Sequence, residues 1–209
     1  MKKIFVLVPA AVLAAGCVAT VQAPPATLSY AGQDCDSAPD LGRAASLVPE
    51  ERKAHHTVSL PVDGGTPCLQ SGADSTPYVL YAIPANDVRM IEVGSQLEMA
   101  RIFSPRIALL DQDGLVVRNF DPDQYLYRGG VLSVQFVPQA GERFILVTAD
   151  PERIGRAYDA VAIGTSTTSV YTGFGMASWT SGVDRNISRT FSYEGSVMAV
   201  VHSVESDGG

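Results

Sequence analysis

Histidines are the first side chains to consider for catalysis in this sequence. His55 and His56 are adjacent in the chain, and His202 lies near its carboxyl end. A serine hydrolase needs a nucleophile, a base and an orienting acid within reach of one another, and no Gly-x-Ser-x-Gly motif occurs. A histidine with no such partners is more often a surface or packing residue than a base. We therefore predict no catalytic residues.

Two pairs of aspartates could support glycoside hydrolysis or bind calcium. Asp111 and Asp113 belong to a turn sequence, and Asp121 and Asp123 flank a proline. Aspartate is common in turns because its side chain binds nearby backbone N–H groups. Neither pair has the full spacing of a calcium loop, and no glycine-rich phosphate motif is present. We predict no metal and no cofactor.

The amino-terminal segment carries a reactive thiol in a recognisable context. Lys2 and Lys3 precede an apolar stretch of about a dozen residues, too short to span a bilayer. It ends in Leu-Ala-Ala-Gly-Cys at residues 13–17. This pattern resembles the lipobox that bacterial signal peptidase II cuts before the cysteine that accepts diacylglycerol. We predict a lipoprotein signal peptide at residues 1–16 and acylation of Cys17.

Acylation of Cys17 would attach the chain to a membrane. Two or more acyl chains hold a protein firmly, at about 0.8 kcal/mol per buried CH₂ group, and mature lipoproteins of the class it resembles carry three. Val18 stands where lipoproteins retained in the inner membrane often have aspartate. We expect the outer membrane, with the protein facing the periplasm. Residues 17–27 are predicted to be a flexible tether.

Cys35 and Cys68 remain after Cys17 is acylated. An even pair in an oxidising compartment predicts a disulfide, although two buried free thiols are an alternative. A Cys₂His₂ zinc site with His55 and His56 is disfavoured, because the histidines are adjacent and neither cysteine belongs to a Cys-x-x-Cys pair.

Composition favours a β-rich globular domain that does not bind nucleic acid. Hydrophobic residues make up 46% of the chain and charged residues 18%, with 19 glycines and 13 prolines. The net charge is −7, and it becomes −9 when Lys2 and Lys3 leave with the signal peptide. A nucleic-acid partner would need a cluster of Lys and Arg, which the mature chain lacks.

Short strands with turns between them run from residue 56 onward. They are predicted at 56–62, 78–83, 89–93, 106–110, 115–118, 131–137, 143–148 and 188–201, the last broken near 194. Asp-Gln-Asp-Gly at 111–114 predicts a hairpin turn. The fold class is therefore mainly β, a β-sandwich or jelly-roll-like domain with at most one or two short helices.

We predict one domain at residues 28–204. Its first part, 28–55, is a less regular lead-in with one short helix, and residues 205–209 form a disordered tail. Residues 164–184 are rich in glycine, serine and threonine and read as a functional or disordered loop.

The segment 103–114, Phe-Ser-Pro-Arg-Ile-Ala-Leu-Leu-Asp-Gln-Asp-Gly, resembles a strand and turn of the maltose-operon periplasmic protein family (MalM) and of bacterial pre-peptidase C-terminal β-sandwich domains. The MalM likeness continues through Tyr125, Tyr127 and the strand at 141–148, and covers about residues 78–160. It implies a periplasmic β-rich protein linked to carbohydrate uptake, with no catalytic residues to transfer. The lipobox and the segment 164–182 depart from that family.

Five aromatic residues are candidates for binding a partner because they lie in stretches that read as loops. They are Tyr125, Tyr127, Tyr171, Phe174 and Trp179. Alternatively, they cap the open ends of the sandwich.

We predict a non-catalytic outer-membrane lipoprotein that acts as an interaction or assembly module with another envelope protein. The alternative is a glycan-binding accessory protein of a maltose-type uptake system, and an envelope hydrolase is the weakest hypothesis.

Overall fold

The structure is a computed structural model that describes residues 33–49, 54–71, 74–86, 88–98, 101–171 and 176–203. It confirms the mainly β fold class, with strands in three sheets and two short 3-10 helices. None of the helical segments in these ranges has the length and apolar character needed to cross a bilayer.

The strands are numbered in chain order. They are β1 Ala45–Ser46, β2 His55–Val62, β3 Cys68–Ser71, β4 Asp74–Ala82, β5 Val88–Gln96, β6 Arg101–Phe103, β7 Pro105–Leu110, β8 Val116–Asn119, β9 Leu126–Arg128, β10 Val131–Phe136, β11 Phe144–Ala149, β12 Ala157–Tyr171, β13 Met176–Ser192 and β14 Gly195–Ser203. The 3-10 helices are Leu41–Arg43 and Pro122–Gln124.

Two sheets make up the body of the domain. The first sheet has the order β1-β4-β11-β7-β8, with β3 also paired to β4, and the second has the order β2-β14-β5-β10-β9. Their facing sides form one hydrophobic core, because inward positions alternate along each strand. The hydroxyl of Tyr81 on β4 crosses this core and donates a 3.0 Å hydrogen bond to the Val197 carbonyl on β14.

The first sheet is buried on both faces along β4, which explains the continuous apolar run at 78–83. Val79 and Tyr81 point into the main core. Tyr78 and Leu80 point to the opposite face, into a second cluster that is covered by Leu41 of the lead-in. The Asp40 N–H donates a 3.1 Å hydrogen bond to the Tyr78 hydroxyl, which fixes the lead-in on this face.

The lead-in differs in part from the prediction of one short helix. A 3-10 helix begins after Asp40, whose carboxylate accepts a 3.0 Å hydrogen bond from the Gly42 N–H. The segment Pro-Glu-Glu-Arg-Lys at 49–53 resembles the first turn of a helix with proline at its front, and it lies almost entirely outside the described residues. The signal peptide at 1–16, the tether at 17–27 and the tail at 205–209 also lie outside them.

The predicted hairpin at 106–118 is confirmed as β7 and β8. The Asp111 carboxylate accepts 2.9 Å hydrogen bonds from the Asp113 and Leu115 N–H groups. Gly114 has φ of +81°, a conformation that glycine adopts at little cost. Asp111 therefore has a turn-forming role, as its sequence context predicts.

The loop expected at 164–184 is instead a long antiparallel ribbon. Strands β12 and β13 pair from Ala157 opposite Thr190 to Tyr171 opposite Met176. At about 3.3 Å per residue, the ribbon is on the order of 45 Å long. The loop prediction was wrong. It rested on the glycine and serine content of the segment, whereas the threonines of the same segment favour strands. At its base, residues 190–192 of β13 pair in parallel with β6.

Candidate functional site

Two adjoining depressions lie beside the first sheet. We call the smaller one, of about 330 Å³, the rim cleft; its lining includes Arg106, Phe120, Tyr125, Asp150 and Arg153. We call the larger one, of about 430 Å³, the sheet groove; its lining includes Leu69, Ala108, Val116, Leu146 and Thr148. The two share Arg106, Asn119 and Glu152 and so form one continuous surface.

An ion pair contributes to the walls of the two depressions, since Arg106 lines both of them and Asp150 lines the rim cleft. Arg106 lies on β7, and its Nη2 atom is 2.8 Å from Oδ1 of Asp150, which directly follows β11. Asp150 is buried, and the same oxygen accepts a 3.2 Å hydrogen bond from the Glu152 N–H. Because the arginine side chain is half-exposed, its remaining N–H donors are available to a ligand in either depression.

Tyr125 belongs to the wall of the rim cleft but is committed to the core. The 3-10 helix that precedes it is fixed by a 2.7 Å hydrogen bond from the Asp121 N–H to Oε1 of Gln124. The Tyr125 hydroxyl accepts a 2.8 Å hydrogen bond from the Ile107 N–H, and the ring packs against two hydrophobic clusters. Burial raises the pKa of Tyr125 to about 12. These contacts are those of a residue that closes one end of the sandwich.

Strand β8 forms the outer edge of the first sheet next to the groove. It pairs with β7 on one side, and no described strand pairs with its other side. Three consecutive aliphatic residues are exposed here: Leu115 by 65%, Val116 by 52% and Val117 by 51%. Val117 is an extra residue in the ladder, since Leu109 pairs with Arg118 and Leu110 with Val116. This bulge places Val116 and Asn119 in the lining of the groove.

The one charged side chain of β8 does not protect this edge. Arg118 turns back onto the domain, where its Nη2 atom is 2.8 Å from Oε2 of the buried Glu142. Its guanidinium also lies 5.4 Å from the ring centroid of Phe120 and 5.1 Å from that of Phe136. Edge strands of soluble proteins are commonly protected by exposed charges, especially lysine. Here the exposed residues of β8 are Val116, Val117 and the uncharged Asn119.

The four aromatic candidates that the structure describes lie at separate places on or next to the strands. Tyr127 lies on β9, near the Tyr158 ring that packs edge-on against Phe191 at 5.4 Å. Tyr171 is at the far end of β12, about 45 Å along the strand from Ala157. Trp179 lies on β13 opposite Thr168. Phe174 lies outside the described residues. A binding role for these residues stays a prediction.

The cysteine predictions have different outcomes. Cys35 and Cys68 form a disulfide, with their Cα atoms 4.9 Å apart, as predicted. Next to it, the Asp36 N–H donates to the Cys68 carbonyl and the Gln70 N–H to the Asp36 carbonyl. Cys17 lies outside the described residues, so its acylation stays a prediction.

The surface formed by β8 and the two depressions was not predicted from the sequence. Arg106 and Asp150 are 44 residues apart and meet only because β7 pairs with β11. The run Leu115-Val116-Val117 did carry a signal. Three consecutive aliphatic residues in an alternating strand place apolar side chains on both faces of the sheet, which requires either burial on both faces, as along β4, or exposure of at least one residue.

Comparisons with family models, curated proteins and solved structures give no match for this chain. The resemblance to the MalM family therefore stays a prediction.

Proposed function

We propose that this protein is a lipid-anchored, non-catalytic interaction module of the outer membrane that binds an extended segment of another envelope protein at strand β8. The observation that carries the proposal is the aliphatic edge at residues 115–117, which has no described strand beside it. A peptide added to such an edge gains main-chain hydrogen bonds, and its alternate side chains enter neighbouring pockets.

The sheet groove supplies those pockets. Leu69, Ala108 and Leu146 give it an apolar lining, and Thr148 and Arg106 add polar groups. A strand beside β8 would direct every second side chain toward this face of the sheet. Covering the exposed halves of three aliphatic side chains contributes on the order of 1 kcal/mol each. A segment with alternating apolar and polar residues fits this surface best.

The predicted anchor at Cys17 supports an interaction rather than a catalytic role for this edge. A tether holds the domain near a membrane, which raises its effective concentration toward partners in the same envelope. The bulge at Val117 limits regular pairing to a short segment, which favours reversible binding over indefinite strand addition.

The contacts of Tyr125 favour this proposal over carbohydrate binding. A sugar ring commonly stacks on an exposed aromatic face, and the Tyr125 ring is packed against the core. The rim cleft keeps polar groups, Arg106, Asn119 and Asp150, that could bind sugar hydroxyls. It has no second tyrosine or tryptophan among its described lining residues.

Site-specific photo-crosslinking in the native envelope tests this proposal. A photoreactive residue at Val117 should give an adduct with one defined envelope protein. The same residue at Gln135, which is exposed in β10 of the second sheet, should not.

A second variant, Val116→Lys with Val117→Lys, should reduce co-purification of that partner at least about tenfold, because lysine on an edge opposes strand pairing.

The free energy of unfolding of the lysine variant should lie within about 0.5 kcal/mol of that of the natural protein, since both positions are exposed. Equal adducts from positions 117 and 135 would contradict the proposal, as would full partner binding by the lysine variant. An adduct only between two copies of this chain would show that the edge serves self-association instead.

A further inference from the structure

We propose that His55, His202 and Met90 form a binding site for cuprous copper on the outer face of the second sheet. The site is independent of strand β8. No local pattern marks the site, because His55 and His202 are 147 positions apart in the chain and the residues meet only through strand register.

The register places the three residues in one row across adjacent strands. His202 on β14 lies directly opposite His55 on β2, and directly opposite Met90 on β5. Residues directly opposite each other in an antiparallel pair share a face, with Cβ atoms about 4.5–5.5 Å apart. His202 is therefore the central residue of the row, with His55 on one side and Met90 on the other.

The geometry of the histidine pair suits a shared metal ion. The ring centroids of His55 and His202 are 5.9 Å apart, with the ring planes inclined at 62°. With metal–nitrogen bonds of about 2 Å, two imidazoles on one ion have centroids about 5 Å apart at a tetrahedral angle and about 6.3 Å apart when linear. The observed separation lies within this interval.

His202 also has an unused coordinating atom. Its Nε2 atom is buried and has no hydrogen-bond partner among the described residues. A buried polar atom without a partner is costly, and a metal ion would compensate for that cost. His55 is exposed, which leaves the site open to an incoming ion.

The ligand types select copper in its reduced state. The described residues contain no group of three His, Cys, Asp or Glu side chains that could hold a metal. Structural zinc almost always takes four ligands of that kind. Thioether sulfur is a soft ligand that favours Cu(I), and imidazole is also a common copper ligand. A set of two imidazoles and one thioether therefore favours Cu(I) over Zn²⁺.

Competition against a chromogenic Cu(I) chelator tests the site. The full chain is used with Cys17→Ser in every sample, so that this thiol does not bind copper. We expect one Cu(I) per chain. His55→Ala and His202→Ala should each weaken binding at least about tenfold, because loss of even an outer-shell partner costs that much. Met90→Leu, which removes the sulfur and keeps the volume, should weaken it severalfold.

Two matched controls come from the same strands. His56→Ala removes the neighbouring histidine, which the alternation of β2 places on the opposite face. Met198→Leu removes a methionine of β14, the strand of His202, and the sulfur of Met198 accepts a 3.4 Å hydrogen bond from Gln96 Nε2. Both controls should bind Cu(I) like the parent chain. Absence of Cu(I) binding would overturn the proposal, as would equal losses in His55→Ala and His56→Ala, or Zn²⁺ displacing Cu(I).

Discussion

Replacing Gly94 with alanine is expected to lower the free energy of unfolding by about 3 kcal/mol or more. Gly94 lies in β5, between β10 and β14, where the strands approach closely. An added Cβ atom would lie 2.2 Å from the Leu132 carbonyl oxygen and 2.6 Å from the Ser133 Cα atom. Both are backbone atoms that cannot rotate away, so β5 and β10 would have to separate. Urea denaturation of the full chain, followed by circular dichroism, measures the loss.

Gly64→Ala is the matched control for this substitution. Gly64 lies in the turn after β2, and a Cβ atom there would have no heavy atom within 4 Å. We expect its free energy of unfolding to stay within about 0.5 kcal/mol of that of the natural protein. If Gly94→Ala were as stable as Gly64→Ala, that result would contradict the close approach of β5 and β10 at Gly94.

Loss of the disulfide is expected to have the second large effect. The bond joins Cys35 and Cys68 across a separation of 33 residues. In the chain-entropy model a loop of this size stabilises by about 3–4 kcal/mol, because the crosslink restricts the unfolded chain. The double variant Cys35→Ala with Cys68→Ala should therefore lose about that much in urea denaturation. The bond also ties the lead-in to the first residue of β3, so we expect proteolysis to begin within residues 33–49.

A reductant provides the control for the disulfide prediction. It should destabilise the natural protein to about the level of the double variant and leave the double variant unchanged. A loss of less than about 1 kcal/mol in both samples would mean that the crosslink contributes little. The lead-in would then be held on the first sheet mainly by contacts such as the hydrogen bond from the Asp40 N–H to Tyr78.

Local sequence patterns predicted the strands of the body well. The apolar run at 78–83 identified β4, and the Asp-Gln-Asp-Gly turn identified the β7–β8 hairpin, because alternation and turn chemistry are local properties. The short strands β3, β6 and β9 were missed, since three or four residues carry too little pattern. The break between β13 and β14 was predicted near Glu194-Gly195, and β14 begins at Gly195.

The candidate sites depend on contacts that no local pattern encodes. Arg106 reaches Asp150 only through the pairing of β7 with β11, and His55 reaches His202 only through the register of β2 with β14. A shift of one residue in that register would move His202 to the opposite face from His55. Strand order and register follow from packing of the whole core, which the sequence alone did not reveal.

The proposed function depends most on the acylation of Cys17, because the anchor determines which partners the β8 edge can meet. Mass spectrometry of the intact protein, purified from its own envelope in detergent, tests this directly. We expect a chain that begins at Cys17, lacks residues 1–16 and carries the mass of a diacylglyceryl group and an amide-linked acyl chain. A chain that retains residues 1–16, or that begins at an unmodified residue, would contradict it.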